Sequence, residues 1–189
     1  MTRVVYYTAT TLDGFLADPD DSLDWLMRQD LDEHGAQNYG EFIATVGSLV
    51  MGSTTYEWVL ANIARNGEPW YYSQPTWVMT SRELPTPDGA DVRFAKGDIT
   101  ALLDELRAAA DGKDVWVVGG GDLAGQLADA GQLDEVIVSV APVVLGAGRP
   151  LLPRRLDLRL VETARNGAFV TARYEVDGPL KEDRPTLDG

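Results

Sequence analysis

Three stretches of this 189-residue sequence deliver small or hydroxyl-bearing residues where an apolar run gives way to a helical pattern. In the clearest, Val115-Trp116-Val117-Val118 leads into Gly119-Gly120-Gly121-Asp122-Leu123. Successive glycines let the backbone approach a ligand closely, and a helix start offers unpaired N–H groups and positive dipole to a phosphate. The run predicts a phosphate cradle, with a tight turn as the alternative. In the second, Met51-Gly52-Ser53-Thr54-Thr55-Tyr56-Glu57, three hydroxyls and a helix start could hold a pyrophosphate, or Ser53 or Thr54 could simply cap the helix. In the third, Val78-Met79-Thr80-Ser81-Arg82, a strand ends on two hydroxyls and a cation. A cation so placed can recognise the phosphate that separates NADP from NAD, although Arg82 could equally be a solvated surface residue. Gly119-x-Gly121-x-x-Ala124 also has the spacing of a Rossmann fingerprint. That motif normally follows a first strand and carries an acid about 20 residues on, where this chain has Ser139-Val140-Ala141.

Composition removes whole classes of chemistry. Sixteen Lys and Arg against thirty Asp and Glu give a net charge of −14, which repels nucleic acid and anionic membranes. With no cysteine there is no disulfide, zinc–thiolate site or thiol nucleophile. The single His34, in Leu31-Asp32-Glu33-His34-Gly35, reads as solvated, so neither a two-His metal site nor a Ser–His–Asp triad is expected. The N-terminal residues lack the pattern of a secretion signal, which predicts a cytoplasmic protein, and no apolar run approaches the roughly 20 residues of a membrane-spanning helix.

Positioning these groups requires alternating elements. Strands are predicted over Arg3–Ala9, Gly47–Gly52, Pro75–Thr80, Asp91–Ala95, Asp114–Val118 and Val136–Val140. Helices are predicted from Asp21 or Ser22 to Arg28, from Asp32 to Thr45, from Ser53, from Asp98 or Thr100 to Ala110, and after Gly121. Asp13-Gly14 marks a turn, and residues 62–74 read as a long surface loop. Leu156–Thr163 and Ala168–Val176 form a hairpin through an Asn166-Gly167 turn. The expectation is one α/β domain over residues 1–178, three layers deep, with a mixed, mainly parallel sheet and a C-terminal antiparallel hairpin, then a polar tail over 179–189.

The order Thr10-x-x-Asp13-Gly14, Met51-Gly52-x-x-Thr55-Tyr56-Glu57, Thr80-Ser81-Arg82 and Gly119-Gly120-Gly121-x-Leu123 resembles the dihydrofolate reductase-like superfamily. It is most similar to the branch holding the C-terminal reductase domain of riboflavin-biosynthesis deaminase-reductases and its stand-alone relatives. The resemblance spans about residues 3–176 and implies NADPH as hydride donor, a pterin- or pyrimidine-like substrate and a homodimer. It implies that Gly52, Ser53, Thr54, Thr55, Thr80, Ser81, Arg82, Gly119, Gly120, Gly121, Asp122 and Leu123 line the cofactor. Asp13 would sit where nicotinamide meets substrate and is the candidate catalytic group, with a turn-forming role as the alternative. The loop from Pro142 to Gly148 resembles a segment near the substrate pocket of relatives. One departure is Ser53, where many relatives carry Arg; this leaves Arg82 as the candidate phosphate-binding cation. No early acid, among Asp32, Glu33 and Glu41, matches the proton donor of dihydrofolate reductases.

Overall fold

A computed structural model describes residues 2–183. The run of β-branched and aromatic residues in Val4–Thr11 makes this segment β1, and a short β2 (Phe15–Ala17) follows the Asp13-Gly14 turn. Two short helices, α1 (Asp24–Met27) and α2 (Tyr39–Thr45), precede β3 (Val46–Gly52), which passes directly into α3 (Ser53–Asn66). Next come β4 (Thr76–Met79), β5 (Val92–Ala95) and α4 (Leu103–Ala110), the last entered through a 3₁₀ turn that Asp98 caps. β6 (Asp114–Gly119) passes into α5 (Gly121–Asp129), followed by β7 (Glu135–Ala141) and β8 (Arg149–Pro150). The hairpin β9 (Leu156–Asn166) and β10 (Phe169–Pro179) closes the chain.

Eight strands form one sheet in the order β5-β4-β3-β6-β1-β7-β10-β9. The pairs from β5 to β7 are parallel, and β10 adds antiparallel to β7 and to β9. Successive residues of β1 point to opposite faces. Val4 and Tyr6 join Leu103, Leu106, Leu123 and Leu127 of α4 and α5 in one core layer. Val5 packs with Phe42 and Trp116 on the other face, where the Tyr7 and Phe42 rings stack with centroids 4.0 Å apart. Met51 and Val78 meet Tyr56 of α3 on that same face, so helices cover both sides of the sheet, as expected. At the N-terminal edge Arg3 ties the central strands together through Asp114 at 2.8 Å and Glu135 at 2.7 Å.

Four boundaries differ from expectation, each for a physical reason. The helix expected over 32–45 starts only at Tyr39, because Gln37 has a positive φ of 54° and the Asn38 side chain caps the helix by accepting from Glu41 N at 2.9 Å. The hairpin turn is Gly167-Ala168, one residue later than Asn166-Gly167. Asn166 pairs with Phe169 in the ladder, and its buried side chain accepts from Asp32 N at 3.0 Å and donates to Ala36 O at 3.2 Å. Helix α3 runs to Asn66 before the left-handed Gly67 stops it, which shortens the expected loop. β10 runs through Pro179, and the Arg155–Asp183 ion pair holds the following turn; residues 184–189 of the expected tail lie outside the described residues.

Two glycines separate packing from vacancy. A Cβ on Gly47 would overlap the Ala110 carbonyl, where β3 crosses the end of α4, whereas a Cβ on Gly120 would meet nothing within 4 Å. Gly47→Ala is therefore expected to lower the stability measured by urea unfolding by about 1–3 kcal/mol, the usual cost of overpacking. Gly120→Ala should leave it nearly unchanged. Equal unfolding midpoints for the two variants would contradict this packing.

Candidate functional site

Because β1, β3, β4 and β6 are parallel, their C-terminal ends open on one edge of the sheet, where ligands of open α/β sheets bind. A cleft of about 570 Å³ lies there, reached by Ala9, Gly52, Met79 and Gly119 from those four strand ends. Met51 pairs with Gly119 across the β3–β6 ladder, so the starts of α3 and α5 stand side by side. Gly52 is the N-cap of α3 and Gly120 the N-cap of α5, and neither helix carries a side-chain cap. In contrast, Asn38 and Asp98 cap their own helices. At α5 the Leu123 N–H already donates to Gly120 O at 3.1 Å, which leaves those of Gly121 and Asp122, with the first-turn N–H groups of α3, for whatever occupies the cleft.

The expected cofactor residues divide into two groups. Gly52, Ser53, Thr54, Thr55, Gly119, Gly120, Gly121, Asp122 and Leu123 all line the cleft. Thr80, Ser81 and Arg82 are not among its lining residues; Met79 is the residue of that junction that reaches it. Thr80 Oγ1 accepts from Arg82 N at 3.0 Å, and the Arg82 guanidinium forms a two-point pair with Glu57 at 2.9 and 2.6 Å.

The three glycines after β6 have three different environments. A Cβ on Gly119 would come to 3.1 Å from Thr55 Oγ1, and one on Gly121 would overlap the carbonyls of Pro150 and Leu151. Gly120 alone faces open space, with an ordinary φ of −88°. Packing therefore accounts for Gly121 and partly for Gly119. Gly120 is unconstrained by protein neighbours, and any side chain there would project into free volume at the cleft wall.

Asp13 has a different place from the one expected of a catalytic group. It is absent from the cleft lining, and its carboxylate accepts from Thr11 Oγ1 at 2.6 Å, from Gly146 N at 2.7 Å and from Leu145 N at 3.1 Å. The Thr11 hydroxyl, with the N–H groups of Gly146 and Leu145, holds the carboxyl below its ordinary range. It is a clamp between the β1 turn and the loop after β7, and an acid held ionised in this way is a poor proton donor. Thr10 and Thr11 complete the turn through Phe15. His34 is exposed, as expected.

Sequence reasoning missed the charged groups beside the cleft. β2 pairs with β8, which brings Arg149 to the cleft beside Asp21, with Nε–Oδ1 at 2.6 Å. Arg149 pulls the Asp21 carboxyl below its usual range. Arg154 packs over Gly125 and pairs with Asp122 at 3.0 Å and Asp129 at 2.6 Å. Gln126 and then Arg154 lower the Asp122 carboxyl in the same sense. Leu16, Leu23, Leu26, Trp58 and Pro153 supply an apolar wall. The signal that could have found Arg149 was the Gly146-Ala147-Gly148-Arg149 run, one residue beyond the loop singled out in the sequence. Among the described residues no group of His, Asp and Glu is arranged to hold a metal ion.

The sequence model of the RibD C-terminal domain family matches residues 2–170. The uncharacterized protein YwjB of Bacillus subtilis (strain 168) is 32% identical over 178 residues, covering 91% of this chain and 97% of its own. Among solved structures, a Shewanella sp. PV-4 protein provisionally assigned to riboflavin biosynthesis superposes with a TM-score of 0.77 at 25% identity, covering 93% of this chain and 99% of that one. Dihydrofolate reductase from Enterococcus faecalis, solved in complex with NADP(H), shares the fold with a TM-score of 0.54 at 15% identity, covering 93% and 96% of the two chains.

The Asp13 clamp is complete at neutral pH and is lost only as the pH falls through its lowered pKa. Asp13→Asn offers an amide N–H₂ where two backbone N–H groups need acceptors. Faster hydrogen exchange at Leu145 and Gly146 is the expected result, with exchange in the β3 amides unchanged. Parental exchange at both positions would remove the clamp.

Proposed function

The chain belongs to the RibD C-terminal domain family, and from that premise we propose that it is an NADPH-dependent reductase that transfers hydride to a small pterin- or pyrimidine-like heterocycle. The observation that carries the reading is the pair of uncapped helix starts on adjacent strands, beside a Gly120 whose missing side chain no protein neighbour requires. Uncapped N–H groups and dipole ends suit a pyrophosphate. Gly52 to Thr55 and Gly119 to Leu123 would hold the dinucleotide, which when bound supplies the hydride. The apolar wall from Leu23, Leu26 and Trp58 suits a planar ring, and its burial would keep water from the reacting atoms. No nucleic acid is needed as partner, and among the described residues no helix is long and apolar enough to cross a membrane. A homodimer is the assembly that the family resemblance implies.

A second reading, a nucleotide-binding protein of the same fold without catalysis, is favoured by one observation. Both carboxylates that line the cleft, Asp21 and Asp122, are engaged by arginines, and Asp13 is engaged outside it. If the chain is a reductase, the proton that accompanies hydride comes from solvent rather than from a free acid of the wall.

Fluorescence titration with NADPH tests the cradle, and Gly120→Val tests the residue that defines it. The variant should keep parental circular dichroism and melting but bind NADPH at least about a hundredfold more weakly, a loss of roughly 2.7 kcal/mol. A folded variant with parental affinity would reduce the glycine run to a turn. A panel of oxidised pterins and pyrimidines then separates the two readings: loss of reduced-nicotinamide absorbance supports the reductase, and binding without turnover across the panel supports the second.

A further inference from the structure

Three arginines near the cleft are each matched by a carboxylate: Arg149 by Asp21, Arg154 by Asp122 and Asp129, and Arg82 by Glu57. Ser53, directly after Gly52, contributes a hydroxyl and no charge. Arg82 matters most, because it lies at the end of the junction whose Met79 reaches the cleft. Its two terminal nitrogens meet the two oxygens of Glu57, the same two-point geometry with which an arginine takes a phosphate. Glu57 is four residues after Ser53 and three after Thr54 on α3, so the three occupy neighbouring positions on one helical face. Ser53 and Thr54 line the cleft, and the pair therefore stands about one helical turn beyond its end.

We propose that Glu57 sets the cofactor preference of this cleft: its carboxylate occupies the Arg82 guanidinium, so a 2′-phosphorylated dinucleotide gains little over an unphosphorylated one. The proposal rests on the dinucleotide reading above and narrows its cofactor: NADPH is bound, with NADH close behind it. The side chains of Arg82 and Glu57 are 53% and 43% exposed. An exposed ion pair is worth little by itself, so breaking it is not the main obstacle. The obstacle is that a displaced Glu57 stays tethered to the same helical face, leaving a carboxylate close to an incoming phosphate dianion. Guanidinium and carboxylate together present almost no net charge to that phosphate. Glu57→Gln keeps the size and one acceptor of the side chain but removes the competing charge.

The test is calorimetric titration with four probes: NADPH, NADH, adenosine 2′,5′-bisphosphate and 5′-AMP. The adenosine compounds read phosphate recognition without any hydride chemistry. The parent should favour each 2′-phosphorylated probe over its counterpart by no more than about fivefold, and Glu57→Gln should tighten only the phosphorylated probes, by about tenfold or more, as expected for freeing one charge-assisted contact. Glu57→Ala should act in the same direction, melting curves should match the parent, and Arg82→Ala placed on Glu57→Gln should cancel the gain. A parent preference of about a hundredfold, or a ratio that neither Glu57 variant moves while both dinucleotides bind, overturns the role of Glu57 and leaves the cofactor reading intact. A parent that binds none of the four overturns the cofactor reading and this proposal with it.

Discussion

The parallel pairing of β3 with β6 is the constraint on which the cleft depends. Both strands end at the same edge, β3 passing directly into its helix and β6 through the single residue Gly120, so two helix starts are fixed beside each other. A helix start exposes N–H groups and the positive end of its dipole. Had either helix been capped by its own side chain, as α2 and the 3₁₀ turn are, that demand would have been met internally. The sheet can hold this arrangement because its two faces are independently buried, by α4 and α5 on one side and by α2 and α3 on the other.

Around these N–H groups the side chains are small or balanced in charge. Gly121 makes room for the Pro150-Leu151 backbone, Gly119 for Thr55, and Gly120 for no protein atom at all. The arginines near the cleft are each neutralised, within a molecule whose net charge is −14. On the proposed dinucleotide reading, recognition of the anion would fall to oriented backbone dipoles. Under the proposal for Glu57, an arginine–carboxylate pair at the rim would be an adjustable element, because substitution of the acid would change what the arginine offers.

What could be read from the chain was what local pattern determines. The β-branched and aromatic run of β1, the apolar run of β6, the leucines of α4 and the glycine run before α5 all locate elements and the cleft wall they build. The match of family and fold, from YwjB and the Shewanella protein to dihydrofolate reductase, agrees with the order of those motifs. Contacts between distant residues were not readable. Arg149 reaches the cleft only because β8 pairs with β2, Ala36 ahead of α2 is bonded by Asn166 130 positions further on, and Arg82 is claimed by a glutamate 25 residues earlier. Asp13 follows the same logic: its sequence signal was a turn beside a strand end, and its partners, Leu145 and Gly146, lie far along the chain.

The central claim is that the two uncapped helix starts act as one anion site. Amide nitrogen–proton spectra recorded during an NADPH titration examine it directly, residue by residue. The amides of Ser53, Thr54 and Thr55 at α3 and of Gly121 and Asp122 at α5 should shift together and saturate along one binding curve, while Leu145 and Gly146, held by Asp13, stay in place. Shifts at only one helix start, or two curves with separate midpoints, would contradict the account.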